Sequence, residues 1–171
     1  METRMKRLVT IALTLVTLSL VAPTPASAKA GIGVLGGIMA PRANRQSYEP
    51  TVTGAYFVDL PIFASFHLSP YAEAYRLVPA DGDGSGSYAT DLGIGFNFVV
   101  RTTPLKPFAG FTVGTTPIFD ELRLDVGFQA GVYWKIIANF SLVFLGRYNV
   151  ALSDGNNFKR LHGLAGVKFD L

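Results

Sequence analysis

The sequence predicts an all-β fold: an eight-stranded antiparallel up-and-down transmembrane β-barrel, preceded by a cleaved signal peptide. Three observations predict it. Apolar and polar residues alternate with a period of two through most of the chain after residue 29, the signature of strands with two different faces. The chain opens with an export signal. It is also 49% hydrophobic, yet beyond that signal Arg, Lys, Asp or Glu interrupts every apolar run before it could cross a bilayer as a helix. An exported, apolar chain without a spanning helix has one other way to pair all its backbone polar groups in lipid, a closed barrel.

The export signal occupies residues 1–28. Arg4, Lys6 and Arg7 form a positive start, Leu8 to Val21 is apolar and uncharged, and Ala26-Ser27-Ala28 is the small-x-small pattern of a signal-peptidase site. Cleavage is expected after Ala28, with Ala26 and Ala28 as the recognised small residues. An apolar run of this length falls short of the roughly 20 residues a spanning helix needs. The mature domain is then 29–171. Without Arg4, Lys6, Arg7 and Glu2 the formal charge falls from +3 to +1, and no basic stripe remains for a nucleic acid. The chain has no Cys, which excludes a disulfide scaffold, a thiolate metal site and a lipoprotein anchor.

Each strand follows from its alternation. Residues 30–40 set Ile32, Val34 and Ile38 against a mostly Gly face with Leu35 and Met39, and Pro41 to Pro50 reads as a polar loop. Residues 51–68 alternate without a break: Val52, Tyr56, Val58, Leu60, Ile62, Phe66 and Leu68 share one face. Thr53, Phe57, Asp59, Phe63 and His67 share the other. Pro61 suggests a bulge, Ser69-Pro70 a tight turn, and Tyr71 to Val78 the third strand. The Gly-rich run Asp81 to Ser87 is a loop. Tyr88 to Val100 places Leu92, Ile94, Phe96 and Phe98 opposite Ala89, Asp91, Gly93, Gly95 and Asn97. Thr102 to Pro107 is a turn, Phe108 to Gly114 the fifth strand and Thr115 to Asp120 a loop. In the sixth strand Leu122, Leu124, Val126, Phe128 and Trp134 alternate with Arg123, Asp125, Gln129 and Tyr133. The seventh, after a turn at Ile136 to Asn139, sets Phe140, Leu142, Phe144 and Tyr148 against Ser141, Arg147 and Asn149. The eighth sets Leu161, Ala165, Val167, Phe169 and Leu171 against Arg160, His162, Leu164 and Lys168.

The large apolar set is the expected lipid-facing belt, and the Gly and charged set the crowded interior. A soluble ligand-binding barrel would invert this, with an apolar cavity inside. Trp134, Phe66 and Phe169 fall at one set of strand ends and Tyr88 and Tyr148 at the other, where aromatic girdles meet the membrane interfaces. The connections after strands 1, 3, 5 and 7 read as longer than the others. Outer-membrane barrels have long outside loops and short periplasmic turns, so both termini are expected in the periplasm.

The export signal, eight alternating strands and the ending Gly166-Val-Lys-Phe169-Asp-Leu171 resemble the OmpA/OmpX-type small outer-membrane barrels. The resemblance covers the mature chain as a pattern. It implies an outer-membrane location, a surround of outer-membrane lipid and lipopolysaccharide, and insertion by the barrel-assembly machinery. Gly166, Phe169 and Leu171 would form the C-terminal assembly signal. The family usually closes on an aromatic residue, whereas this chain closes on Leu171. The resemblance is to the barrel alone, so the cell-wall tethering role of longer relatives is not expected.

The interior is where chemistry would sit. The predicted hairpins put Asp125, Arg147 and His162 in one row, with Arg123, Asn149 and Arg160 a level above and Asp91 joining from across the lumen. Glu73 would lie lower. An eight-stranded barrel is filled by its own side chains, so these charges are expected to pair with one another as a lumen charge network. Two of the known functions of similar small barrels are enzymatic, modifying lipid A, which makes a nucleophile with its base worth seeking. His67 and Ser69 share a face near Asp59 and Glu73, but spacing alone is a weak case. No catalytic set, cofactor or metal site is expected, because two scattered His without Cys lack ligand spacing. The expected function is a structural or interfacial outer-membrane protein, with at most a narrow path for small solutes. A lipid-A-modifying barrel enzyme and a soluble periplasmic ligand-binding barrel are the alternatives.

Overall fold

The computed structural model describes residues 29–43, 48–63, 65–80, 86–118, 121–152 and 157–171. The expected signal peptide, with Ala26 and Ala28, lies outside them, as does most of the Gly-rich run from Asp81. Eight strands follow one another: β1 (Gly31–Ala43), β2 (Thr51–Pro61), β3 (Phe66–Leu77), β4 (Ser87–Val99), β5 (Leu105–Ile118), β6 (Glu121–Ile137), β7 (Phe140–Leu152) and β8 (Phe158–Asp170). Each pairs antiparallel with its sequence neighbours, and β1 pairs with β8, so the sheet closes into an up-and-down barrel. Gly31 lies opposite Asp170, which brings the two ends of the described chain to one mouth. The turns after β2, β4 and β6 share that mouth, here the turn-side mouth. The connections after the odd strands share the other, the loop-side mouth.

Four details differ from expectation. The turn expected at Ser69-Pro70 lies instead between β2 and β3, closed by Ile62 N–H and Phe63 N–H donating to Phe66 O. Ser69 and Pro70 are inside β3, paired with Gly95 and Ile94. Phe63, expected to face inward, is exposed in the turn. The fifth strand extends four residues beyond the expected Gly114, to Ile118, so it takes up 115–118 of the expected loop. β1 runs on through Pro41 to Ala43, along β8.

The faces follow the alternation. Ile32, Val52, Phe66, Leu92, Phe111, Phe128, Phe144 and Leu161, one from each strand, are exposed on the outer wall, Phe128 to 71%. Charged and amide residues of the same strands turn inward: Asp59, Glu73, Asp91, Asn97, Asp125, Gln129, Arg147, Asn149, Arg160 and His162 are all buried. Phe66, Trp134 and Phe169 stand on the turn side, and Tyr88 near the loop-side end of β4. Part of the outer wall is made of small residues rather than large ones: Gly36 pairs with Gly54 and Ala165, and Gly146 with Ala130 and Gly163.

The interior is also less uniform than a Gly-and-charge filling. Two apolar clusters divide it. Met39, Tyr48, Tyr75, Leu77, Ala151 and Phe158 close the loop side, where Tyr48 meets Phe158 edge to face at 5.6 Å. Leu35, Phe57, Tyr71, Phe108, Val143 and Leu145 belong to a second cluster nearer the turns, in which Phe108 stacks on Tyr133 at 4.5 Å. Glycine makes room for this packing where strands approach closely. A Cβ on inward Gly37 would lie 2.0 Å from Gly163 O, whereas one on outward Gly36 would meet nothing within 4 Å. Gly37→Ala is therefore expected to destabilise the barrel by about 1–3 kcal/mol through overpacking, and Gly36→Ala to leave it within about 0.5 kcal/mol. Urea midpoints of the detergent-folded barrel followed by gel migration would measure both.

Candidate functional site

The inward charges form three layers along the barrel axis. On the loop side Arg160, on β8, is fully buried and reaches two carboxylates from other walls. Its Nη1 donates to Asp91 of β4, and its Nη2 donates to Asp125 of β6 at 2.5 Å. Tyr75 Oη donates to Asp91 Oδ1 at 2.9 Å, and Thr116 donates to the same carboxylate. Asn149, opposite Arg160 on β7, donates to Asp125. Two acids therefore share one guanidinium, and neutral donors supply the further hydrogen bonds that a buried carboxylate needs.

The middle layer centres on Glu73 of β3. Arg147 Nη1 donates to Glu73 Oε2 at 2.9 Å, His162 Nδ1 lies 2.7 Å from Glu73 Oε1, and Thr53 Oγ1 donates to that oxygen at 2.6 Å. Arg147 also donates through Nε to Gln129 Oε1 at 3.1 Å, and its guanidinium lies 3.9 Å from the centre of the Tyr71 ring. From Gln129 an amide chain runs on: Gln129 Nε2 donates to Asn97 Oδ1 at 2.7 Å, and Asn97 Nδ2 to Ser69 Oγ at 3.0 Å. The third layer is at the turn side. Lys168 Nζ donates to Asp59 Oδ2 at 2.6 Å and contacts Asp170 Oδ1 at 3.0 Å, and His67 Nδ1 lies 2.8 Å from Asp59 Oδ1.

The residues singled out from sequence are thus distributed differently from the expected rows. Arg147 does lie opposite His162, but its β6 neighbour is Gln129, and Asp125 lies opposite Ala151. Asp125 belongs with Arg160 and Asp91, one layer above Arg147. Arg123 stands on the loop-side part of β6, where it pairs with the exposed Glu121 at 3.3 Å. Glu73 is the residue that sequence reasoning undervalued. Lys168 and Asp59, the third layer, were missed as a pair because they meet across β8 and β2, which are not neighbours in the sheet.

His67 and Ser69 do not form a nucleophile and base: His67 is engaged by Asp59, while Ser69 Oγ accepts from Asn97. No cluster of three or more potential metal ligands occurs among the described residues. A void of about 20 Å³ lies beside Phe57, Tyr71, Gln129 and Arg147, space for about one water. Gly166 faces inward, where a Cβ would lie 2.0 Å from Val34 O. Phe169 and Leu171 are exposed at the turn-side end of β8.

No known family model matches this sequence, and no curated protein is similar to it in sequence. The fold has close counterparts among solved structures. Neisserial surface protein A superposes with a TM-score of 0.69 at 13% identity, over 83% of this chain and 97% of that one. The N-terminal β-barrel domain of Pseudomonas aeruginosa OprF superposes with a TM-score of 0.50 at 11% identity, over 85% and 100%. The structural neighbours are small eight-stranded outer-membrane β-barrels, and this chain has their fold.

A buried ion pair costs little when both partners are present and much when one is removed. Arg147→Met is expected to destabilise the barrel by about 3–5 kcal/mol, because it takes the guanidinium from the buried Glu73 carboxylate. Adding Glu73→Gln to that variant should recover a large part of the loss. A double variant whose destabilisation equals the sum of the Arg147→Met and Glu73→Gln singles in urea titrations would show that the two residues are not coupled.

Proposed function

We propose that this chain is an integral outer-membrane β-barrel with a structural or interfacial role, whose lumen is closed to solutes by its own side chains. The observation that carries the reading is the inverted distribution of polarity. Every strand presents large apolar residues to the outside, while carboxylates, guanidiniums and imidazoles face inward and pair. Contiguous apolar surface on this scale marks contact with a membrane or a partner, and its extent around the whole ring favours lipid. The strands are 11–17 residues long, enough for the 9–11 that a tilted membrane strand needs.

In this reading residues 1–28 direct export and are removed, and the turn-side mouth faces the periplasm. Gly166, Phe169 and Leu171 serve as the signal read by the barrel-assembly machinery, and the outer wall is bathed by outer-membrane lipid and lipopolysaccharide. The stacked ionic and apolar layers support a closed lumen, since an ion entering it would displace paired charges. A soluble ligand-binding barrel is disfavoured by the ionic interior. A lipid-modifying enzyme is disfavoured by the engagement of His67 and Ser69 with other groups.

The test is fractionation followed by electrophoresis. The protein is expected in the detergent-extracted outer-membrane fraction, migrating faster unheated than boiled, and in planar bilayers it should give no steady conductance. Release into buffer or salt alone would sink the membrane reading; sustained single-channel steps from the parent protein would sink the closed lumen.

A further inference from the structure

We propose that the turn-side mouth of the barrel is a binding site for a phosphorylated anion. The mouth is a concave polar vestibule of about 510 Å³, within the range of about 300–1,000 Å³ usual for small-molecule sites. Five cations line it: Lys29 ahead of β1, Arg101 in the turn after β4, Lys106 of β5, Lys135 of β6 and Lys168 of β8. They come from well-separated parts of the wall and converge on one space.

The acids nearby are already committed. Asp170 lines the vestibule and Asp59 lies beneath it; Lys168 contacts both, and His67 holds the other oxygen of Asp59. That leaves Lys29, Arg101, Lys106 and Lys135 without a salt bridge among the described residues, with Asp170 acting on Lys106 only at longer range. Lys29 has only a long hydrogen bond to Asn139 Oδ1, at 3.5 Å. Four cations without salt bridges around one concavity repel one another and raise the local concentration of anions. An anion seated among them would relieve the repulsion, so the vestibule is organised to receive one.

The donor set favours a phosphoryl group over a carboxylate. Three of these four cations are lysines. A Lys ammonium is a compact point charge that meets a phosphoryl oxygen without the planar fork of an Arg. A tetrahedral oxyanion can offer a separate oxygen to each of several lysines arriving from different walls. The floor of the vestibule is the Asp59–Lys168–His67 layer, with the Tyr133 ring 4.6 Å from Lys168 Nζ. Beyond that floor lies the apolar cluster around Leu35, Phe57 and Val143. The anion would therefore dock at the mouth and not pass through. Its source is either a free phosphorylated solute or the headgroup of a membrane phospholipid.

The experiment is isothermal titration of the full barrel, folded in neutral detergent, with two probes: inorganic pyrophosphate and short-chain dihexanoyl phosphatidylglycerol. At least one should bind saturably, and added salt should weaken the binding because exposed charges are screened. Lys106→Ala/Lys135→Ala should weaken binding at least about tenfold, equivalent to about 1.4 kcal/mol. Lys159→Ala, at the opposite end of β8, should leave it unchanged. Pyrophosphate binding assigns the site to a free phosphorylated solute, and binding of the lipid alone assigns it to a headgroup. Heat-modifiable migration of each variant establishes folding independently. If the double alanine variant does not fold, Lys106→Gln/Lys135→Gln takes its place. Absence of saturation with both probes, or equal binding by the parent and the double variant, overturns the proposal and leaves the membrane reading untouched.

Discussion

Closure of eight strands on themselves leaves an interior too narrow to hydrate a charge, so each inward ionic group must find its partner among other inward groups. That constraint explains why the acids and bases here come from different walls. Arg160 of β8 reaches Asp91 of β4 and Asp125 of β6, and Arg147 of β7 reaches Glu73 of β3. These contacts tie walls that the hydrogen-bond ladder joins only the long way round the ring. Desolvation of each carboxylate is offset by at least one cation and by neutral donors such as Thr53, Tyr75 and Asn149. A lumen of this kind fixes the cross-section of the barrel as well as its register.

Alternation makes most of the fold legible in the sequence, since period two reports directly which side chains share a face. It also conceals one hairpin. In β2 and β3, Tyr56 pairs with Ala72 and Leu60 with Leu68, so odd residues face inward on both strands. The alternation therefore runs unbroken through the turn between them. That turn is Ile62-Phe-Ala-Ser65 and contains no Gly, Asn or Asp, whereas Ser69-Pro70 inside β3 imitates a turn signal. The same strand obscures Glu73. Its inward face carries Tyr71, Tyr75 and Leu77 and its outer face Ala72, Ala74 and Arg76, so bulk and charge point the wrong way for a simple rule.

The charge layers are legible as a list of residues and illegible as a network. Pairing across adjacent strands can be read from turn positions, which is why the Arg147–His162 neighbourhood follows from the sequence. The two-residue turn at Ala138-Asn139, with the register shift between Lys135 and Ile137, sets β6 against β7 differently and puts Gln129 beside Arg147. Contacts across the lumen depend on strand tilt and stagger, which no local pattern encodes. Asp59 with Lys168 and Arg160 with Asp91 belong to that class.

The apolar clusters give the ionic layers their sequence along the axis. Met39, Tyr48 and Phe158 shield Arg160 and its acids from the loop side, while Leu35, Phe57 and Val143 lie between the Glu73 layer and the turn-side mouth. Lys168 lies below that second cluster, and its charge is matched by Asp59 and Asp170. The remaining cations of the mouth face solvent, where unpaired charge is tolerated. Polarity inside the barrel is thus graded: buried and paired between the two clusters, only partly paired and open to solvent at the turn-side end. That asymmetry is why the proposed anion site lies at the turn-side mouth and not in the buried network.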